Sequence, residues 1–306
     1  MSRRRKDDPD IAGVLVVDKP MGMTSHDVVA RVRRALGMRR VGHTGTLDPS
    51  ATGVLVVAVG RATRLVPYLQ AGRKTYEARM VIGRSTTTQD AEGAVVDAAD
   101  ASRVTLADLE AAARTFVGDI DQIPPMVSAV KVDGERLYAK ARRGEEVQRQ
   151  PRRVTVHELA VDDFLPGVFA EATLTVVCSA GTYVRTLAHD IGAALGVGGS
   201  LLSLRRTVNG VFDLTEAIAL ERIMQLGEQG ELRDHLIDPL PALRELPRVD
   251  VGRQTVQDLV HGRRFEAQGL DGAYAVVFGD RLVGVYEDHD GVGKADVVML
   301  RPHELS

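Results

Sequence analysis

The 306-residue chain holds one cysteine, Cys178, which excludes an internal disulfide and any cysteine-based zinc site. It sits in the apolar run Leu174-Thr175-Val176-Val177-Cys178 and reads as a core thiol. No run of eighteen apolar residues and no signal-peptide pattern occur, so a soluble cytoplasmic protein without membrane spans is expected. There is no G-x-G-x-x-G fingerprint for a dinucleotide and no Gly-Lys-Ser/Thr for a nucleotide phosphate. A triad could be sought in Ser25, His43 and Asp48, but no G-x-S-x-G elbow supports it. The histidines are scattered and lack metal-ligand spacing, so no metal site is expected.

What is present is an uneven charge. The chain has 39 Lys and Arg against 42 Asp and Glu, a net of −3. Residues 207–306 hold 10 basic and 18 acidic side chains, which leaves 29 and 24 for residues 1–206. Two basic clusters stand out: Arg31, Arg33, Arg34, Arg39 and Arg40, then Lys140, Arg142, Arg143, Arg149, Arg152 and Arg153. Each alone could be a solvated face; together they suit a polyanion such as RNA.

Between them lies Gly42-His43-Thr44-Gly45-Thr46-Leu47-Asp48-Pro49-Ser50-Ala51-Thr52-Gly53, with a carboxylate, an imidazole and three glycines in one turn. It precedes Val54-Leu55-Val56-Val57-Ala58-Val59, a buried strand by its continuous apolar character. The turn is either an active-site loop or a tight connection in which Asp48 caps a turn. No second acid is evident beside Asp48, whereas glycoside hydrolases usually need two.

Further strands are expected at 13–17, 75–83, 123–132, 172–180 and 201–207. Helices are expected from Thr24-Ser25, from the capping box Thr105-x-x-Asp108, after Thr186, and near 215–227 and 231–237. Asp133-Gly134 reads as a hairpin turn, and Tyr138–Gly144 as a short basic helix. Strands and helices mix without regular alternation, which favours an α+β fold. Residues 1–10 read as a disordered tail. Prolines 239, 241 and 247 suggest a boundary near residue 246, beyond which 273–278 and 282–286 form a hairpin in a small β-rich domain at 247–306.

These motifs resemble the bacterial tRNA pseudouridine synthase B family. The resemblance rests on the Asp48 loop, Lys74-Thr75-Tyr76, Ile123–Lys131, Gly181-Thr182-Tyr183-Val184-Arg185-Thr186 and Leu204-Arg205-Arg206, in the family's order. It implies isomerisation of the T-loop uridine at tRNA position 55, without cofactor, metal or guide RNA, by a monomer that grips the T arm. The implied fold is a mixed-sheet catalytic domain at 11–246, a thumb-like insertion at about 133–153, and a PUA-like C-terminal domain. Asp48 would be the catalytic carboxylate. His43 would help hold the RNA with the base turned out, Tyr76 would pack on the uracil, Tyr183 and Leu204 would line its pocket, and Arg185 would pair with Asp48. Lys19, Lys131, Arg142, Arg143, Arg152, Arg153 and Arg205 are the expected RNA-facing cations. Arg263 and Arg264 are open between RNA contact and plain solvent exposure. The resemblance leaves open whether Asp48 attacks C1′ or first takes a proton from C2′. A rival reading is an RNA-binding or tRNA-folding protein in which catalysis is secondary.

Overall fold

The computed structural model describes residues 11–126, 128, 131–132, 135–136, 143, 145 and 147–305. Its first half carries strands β1 (Ala12–Lys19), β2 (Val41–His43), β3 (Thr52–Gly60), β4 (Lys74–Ile82), β5 (Arg84–Thr86), β6 (Val95–Ala98) and β7 (Gly118–Gln122). Helices α1 (Ser25–Leu36), α2 (Val66–Ala71) and α3 (Leu106–Arg114) lie between them. A small hairpin, β8 (Lys131–Val132) with β9 (Glu135–Arg136), precedes the long strands β10 (Arg152–Leu165) and β11 (Ala170–Cys178). Next come α4 (Val184–Ala194), β12 (Gly199–Asn209), β13 (Phe212–Asp213), β14 (Ile218–Ala219), α5 (Leu220–Gln229) and the single turn α6 (Pro239–Ala242). The C-terminal part holds β15 (Arg248–Asp250), α7 (Arg253–Val260), β16 (Phe265–Glu266), β17 (Ala273–Phe278), β18 (Arg281–His289) and β19 (Val292–Val298).

The main sheet runs β14-β1-β3-β12-β4-β11-β10-β7 and is mixed. Its two halves, antiparallel except where β14 runs parallel to β1, meet where β12 lies parallel to β3 through two pairs, Arg205↔Thr52 and Arg206↔Gly53.

Burial on both faces explains the unbroken apolar run of β3. Leu55, Val57 and Val59 pack with Leu15 and Val17 of β1 against Val28 and Val32 of α1 and Ile223 and Leu226 of α5. Val54, Val56 and Ala58 face the other way, onto Ala275 and Val277 of β17 and Leu282 and Val285 of β18. Each fully buried valine contributes about 1.5–3 kcal/mol of transfer free energy. The second sheet, β15-β17-β18-β19-β16, therefore closes the core of the first. Arg61 clamps it through Glu304 at 2.7 Å, and Tyr68 through Asp296 at 2.9 Å.

The expected capping box is present, Thr105 with Asp108 on α3, and the helix start expected at Thr24-Ser25 carries a second one, Thr24 with Asp27 on α1. Loss of such a cap costs about 1 kcal/mol. Cys178 is buried in the core between α4 and the sheet, as expected.

Four elements differ from the sequence reading. The strand expected over 123–132 lies ahead of the prolines as β7, because Pro124 and Pro125 have no N–H to give a ladder; among the described residues of that span, only Lys131–Val132 forms a strand beyond them. The helix expected at 215–227 starts at Leu220, after β14 has paired with β1, and the one at 231–237 is a 3-10 turn over Leu232–His235. Arg152 and Arg153 open β10, paired with Gln122 and Asp121, rather than a protrusion. The tail at 1–10, the turn at 133–134 and most of the helix expected at 138–144 lie outside the described residues.

Candidate active site

Asp48 lies in the turn from β2 to β3, and several groups fix that turn. Ser25 Oγ accepts from Leu47 N at 2.8 Å and donates to Leu47 O at 3.1 Å. Lys19 Nζ donates to the carbonyls of Met23 at 2.7 Å, Pro20 at 2.9 Å and Pro49 at 3.3 Å. Lys19 is fully buried, so this expected RNA-facing cation instead ties two loops together beneath the site. Burial pulls its ammonium down to about 8, opposed by the Asp48 charge. His43 Nδ1 accepts from Gly45 N at 3.3 Å, and its ring meets His26 edge to face at 5.1 Å. His43 does not line the cavity described next.

A cavity of about 230 Å³ opens beside the turn. Asp48, Leu47, Tyr76, Tyr183, Arg185 and Leu204 line it, which joins five predicted residues from four separate segments. Gln70, Lys74 and Arg206 line it as well; Lys74 and Arg206 stand in motifs quoted above but were given no role, and Gln70 carries no sequence signal. The space is several times the ~30 Å³ share of one water, enough for a planar heterocycle.

Arg185 comes from the first turn of α4, with its side chain only 5% exposed. It reaches Asp48 Oδ2 at 3.1 Å with one terminal nitrogen and Asp90 Oδ2 at 3.2 Å with the other. A second carboxylate is thus present after all, correcting the expectation that Asp48 stands alone. It lies behind the guanidinium and does not line the cavity. Thr88 Oγ1 and Glu92 N donate to Asp90 Oδ1, in a turn whose Gln89 has a φ of 64°. Asp90 orients Arg185; Asp48, 40% exposed, opens into the cavity.

Burial raises the Asp48 carboxyl above its ordinary value, and Asp90 adds to the effect. Arg185 and, less strongly, Lys19 oppose it by favouring the anion. Burial likewise raises the Tyr76 phenol, against the pull of Arg206, and raises the Tyr183 phenol. Tyr183 is held by its backbone: Gln122 accepts from Tyr183 N at 2.9 Å and donates to Tyr183 O at 3.1 Å.

Among the described residues, the expected cations Arg143, Arg152, Arg153 and Arg205 do not line the cavity. Arg205 pairs with Asp18 at 2.8 Å and Arg143 with Glu145 at 2.6 Å, while Arg153 reaches Asp121 at 3.3 Å. Arg152 is exposed; Lys131 lies in β8, and Arg142 is outside the described residues. Arg263, on the C-terminal part, pairs with Asp258 at 2.7 Å. Among the described residues no three His, Cys, Asp or Glu side chains gather as a metal site, and no helix is long and apolar enough to cross a membrane.

A family model for the N-terminal domain of TruB family pseudouridylate synthases matches residues 33–184, and one for the C-terminal domain of tRNA pseudouridylate synthase B matches 185–246. The chain belongs to the TruB family of pseudouridylate synthases. Within it, the chain is 52% identical to the tRNA pseudouridine synthase B of Symbiobacterium thermophilum over 83% of both proteins. It is 46% identical to that of Rhodococcus jostii over 100% of both. Among solved structures, a Cbf5–Nop10–Gar1 complex contains a chain 27% identical, with a TM-score of 0.73, covering 96% of this chain and 86% of that one. The TruB mixed sheet thus agrees with the α+β expectation. The junction of the two family models falls within α4, between Val184 and Arg185, so the Asp48–Arg185 pair bridges both.

Proposed function

We infer that this TruB-family chain isomerises a uridine of tRNA to pseudouridine, acting on position 55 of the T loop without a guide RNA. The observation that carries this reading is the Asp48–Arg185 ion pair at the mouth of a cavity walled by Tyr76, Tyr183 and Leu204. Near-complete alignment with proteins named tRNA pseudouridine synthase B supports the tRNA substrate and the stand-alone form. The C-terminal sheet reads as the family's PUA-like appendage at 247–306, behind a catalytic part at 11–246, and the compartment as the cytoplasm.

A base must leave its stack to reach Asp48, at a cost of a few kcal/mol. Stacking on aromatic walls returns about 1–3 kcal/mol per base, so Tyr76 and Tyr183 offset the extrusion. Asp48 then acts as an anion next to the ribose. Either it attacks C1′ as the C1′–N1 pair withdraws onto the uracil, or it takes the C2′ proton as that bond breaks to give a glycal. In both routes the uracil stays in the cavity and turns; C5 then bonds to C1′ as the Asp48 oxygen–C1′ bond breaks, or, from the glycal, as Asp48 returns the proton to C2′, and the C5 proton leaves as the ring regains its double bond. Asp90 accepts no substrate proton in this scheme; it holds Arg185 so that Arg185 can hold Asp48.

Tritium at uridine C5 of a tRNA transcript reports the last step. The purified chain alone should release it, and Asp48→Asn should abolish release while tRNA binding persists. Undiminished release by Asp48→Asn would remove Asp48 from the chemistry. Binding without any release by the unaltered chain would favour the rival reading as an RNA-binding or tRNA-folding protein.

A further inference from the structure

Helix α4 starts without a cap of its own, although its first turn carries Arg185. The N-cap residue, Tyr183, makes no side-chain cap bond, and no acid stands in the first turn. In a capping box the side chain three residues on would take the N-cap N–H. Thr186 occupies that place, but its Oγ1 donates to Gln89 Oε1 at 2.8 Å, beside Asp90. Gln122 takes over from the end of β7. It is only 2% exposed, and its amide meets both backbone groups of Tyr183, accepting from N at 2.9 Å and donating to O at 3.1 Å. One acceptor and one donor on a planar amide pair with a peptide edge as a neighbouring strand would. The turn pinned in this way bears much of the site. Tyr183, Val184 and Arg185 line the cavity, and Arg185 carries the ion pairs to Asp48 and Asp90. Gln122 also begins the segment that places Ser128 on the cavity wall, and Arg149 Nη1 fastens that segment through Pro124 O at 3.1 Å.

We propose that Gln122 is a positioning residue for the Asp48–Arg185 pair: it fixes the backbone at Tyr183, which sets the first turn of α4 and so holds the guanidinium against the Asp48 carboxylate. The proposal rests on the pseudouridine reading, in which Asp48 acts as an anion. Asp48 faces two cations, Arg185 and Lys19, and one carboxylate, Asp90, with the phenols of Tyr76 and Tyr183 on the same cavity wall. Arg185 is the strongest opponent of burial among them, so the anion depends on where that guanidinium sits. Coulomb attraction changes most steeply at close range. A small backbone shift at Tyr183 therefore reaches Asp48 through the side chain two residues on. Gln89 grips the same turn from its other side, so loss of Gln122 leaves the helix start tethered but able to shift.

The test compares the unaltered protein with Gln122→Met, which keeps the length of the side chain and removes its amide. Titration of 13C-carboxyl-labelled aspartate, assigned with Asp48→Asn, should show the Asp48 carboxyl moving upward in Gln122→Met. Single-turnover tritium release should slow about 10–100-fold, the scale of a misplacement within about 1 Å, while tRNA affinity is kept. A double-mutant cycle separates positioning from general support. On an Arg185→Met background Gln122→Met should add little further loss, whereas a general weakening of the fold would add in full. An unmoved Asp48 titration in Gln122→Met, or a loss that adds in full to that of Arg185→Met, would overturn the proposal. If Gln122→Met fails to fold, Gln122→Asn, whose amide is one carbon too short to reach Tyr183, decides by the same readouts. If the unaltered chain releases no tritium, the pseudouridine reading fails, and the Asp48 titration still decides whether Gln122 acts on the pair.

Discussion

At the scale of single residues, the site is organised by guanidinium groups more than by the carboxylate between them. Asp48 needs its negative charge, yet burial favours its neutral form. A raised carboxyl binds its proton more tightly in the folded chain than in the unfolded one, so stability falls as pH rises from about 3.8 through the folded value. Activity runs the opposite way, because the ionised form is lost as pH falls through that value. Arg185→Met should therefore move the acid limb of the rate profile to higher pH. Asp90→Asn removes a nearby negative charge and should move that limb to lower pH. It also loosens Arg185 and should slow turnover about 10–100-fold, equivalent to losing one charge-assisted hydrogen bond. Opposite shifts in pH profiles of single-turnover rates check both; shifts in one direction would deny the coupling.

At the scale of elements, much of the sheet was legible because residues buried on two faces leave an unbroken apolar signal, as in Val54–Val59. A helix start at Thr24-Ser25 marked α1 and a capping box marked α3, for the equally local reason that Thr105 reaches only three residues ahead. Asp90 was invisible, since its partners Arg185 and Asp48 are far away in sequence and no local pattern links them. Arg205 and Arg206 look alike in sequence, but strand alternation turns one toward Asp18 at the surface and the other into the cavity. Which of two adjacent arginines points inward depends on the register of β12, and no residue beside them states it. Gly53 is what lets β12 lie so close to β3. It has a φ of 99°, and a Cβ there would stand 2.2 Å from Arg206 O. Gly53→Ala should therefore cost about 3 kcal/mol or more, from backbone strain plus overpacking, read as a fall in the denaturation midpoint with an unchanged slope.

At the scale of the molecule, the C-terminal sheet acts as the lid of a core that the main sheet leaves open. Val14, Val54 and Val56 would face water without Ala275, Val277 and Val285. A chain ending at residue 246 should then aggregate on expression and fail to show one cooperative melt, whereas a separable appendage would leave it soluble and folded. The seam between β3 and β12 bears on the order of folding. Strands β1 to β3 pair with near neighbours along the chain, as do β10 and β11, but β12 must return from far along the sequence to join the two halves. Long-range closures of this kind come late, because loop entropy is lost before the contacts repay it. Since Leu204 and Arg206 ride on that strand, refolding from denaturant should restore the circular dichroism signal before it restores tritium release. During that interval the protein is a population of well-formed but inert molecules, each lacking only its central strand.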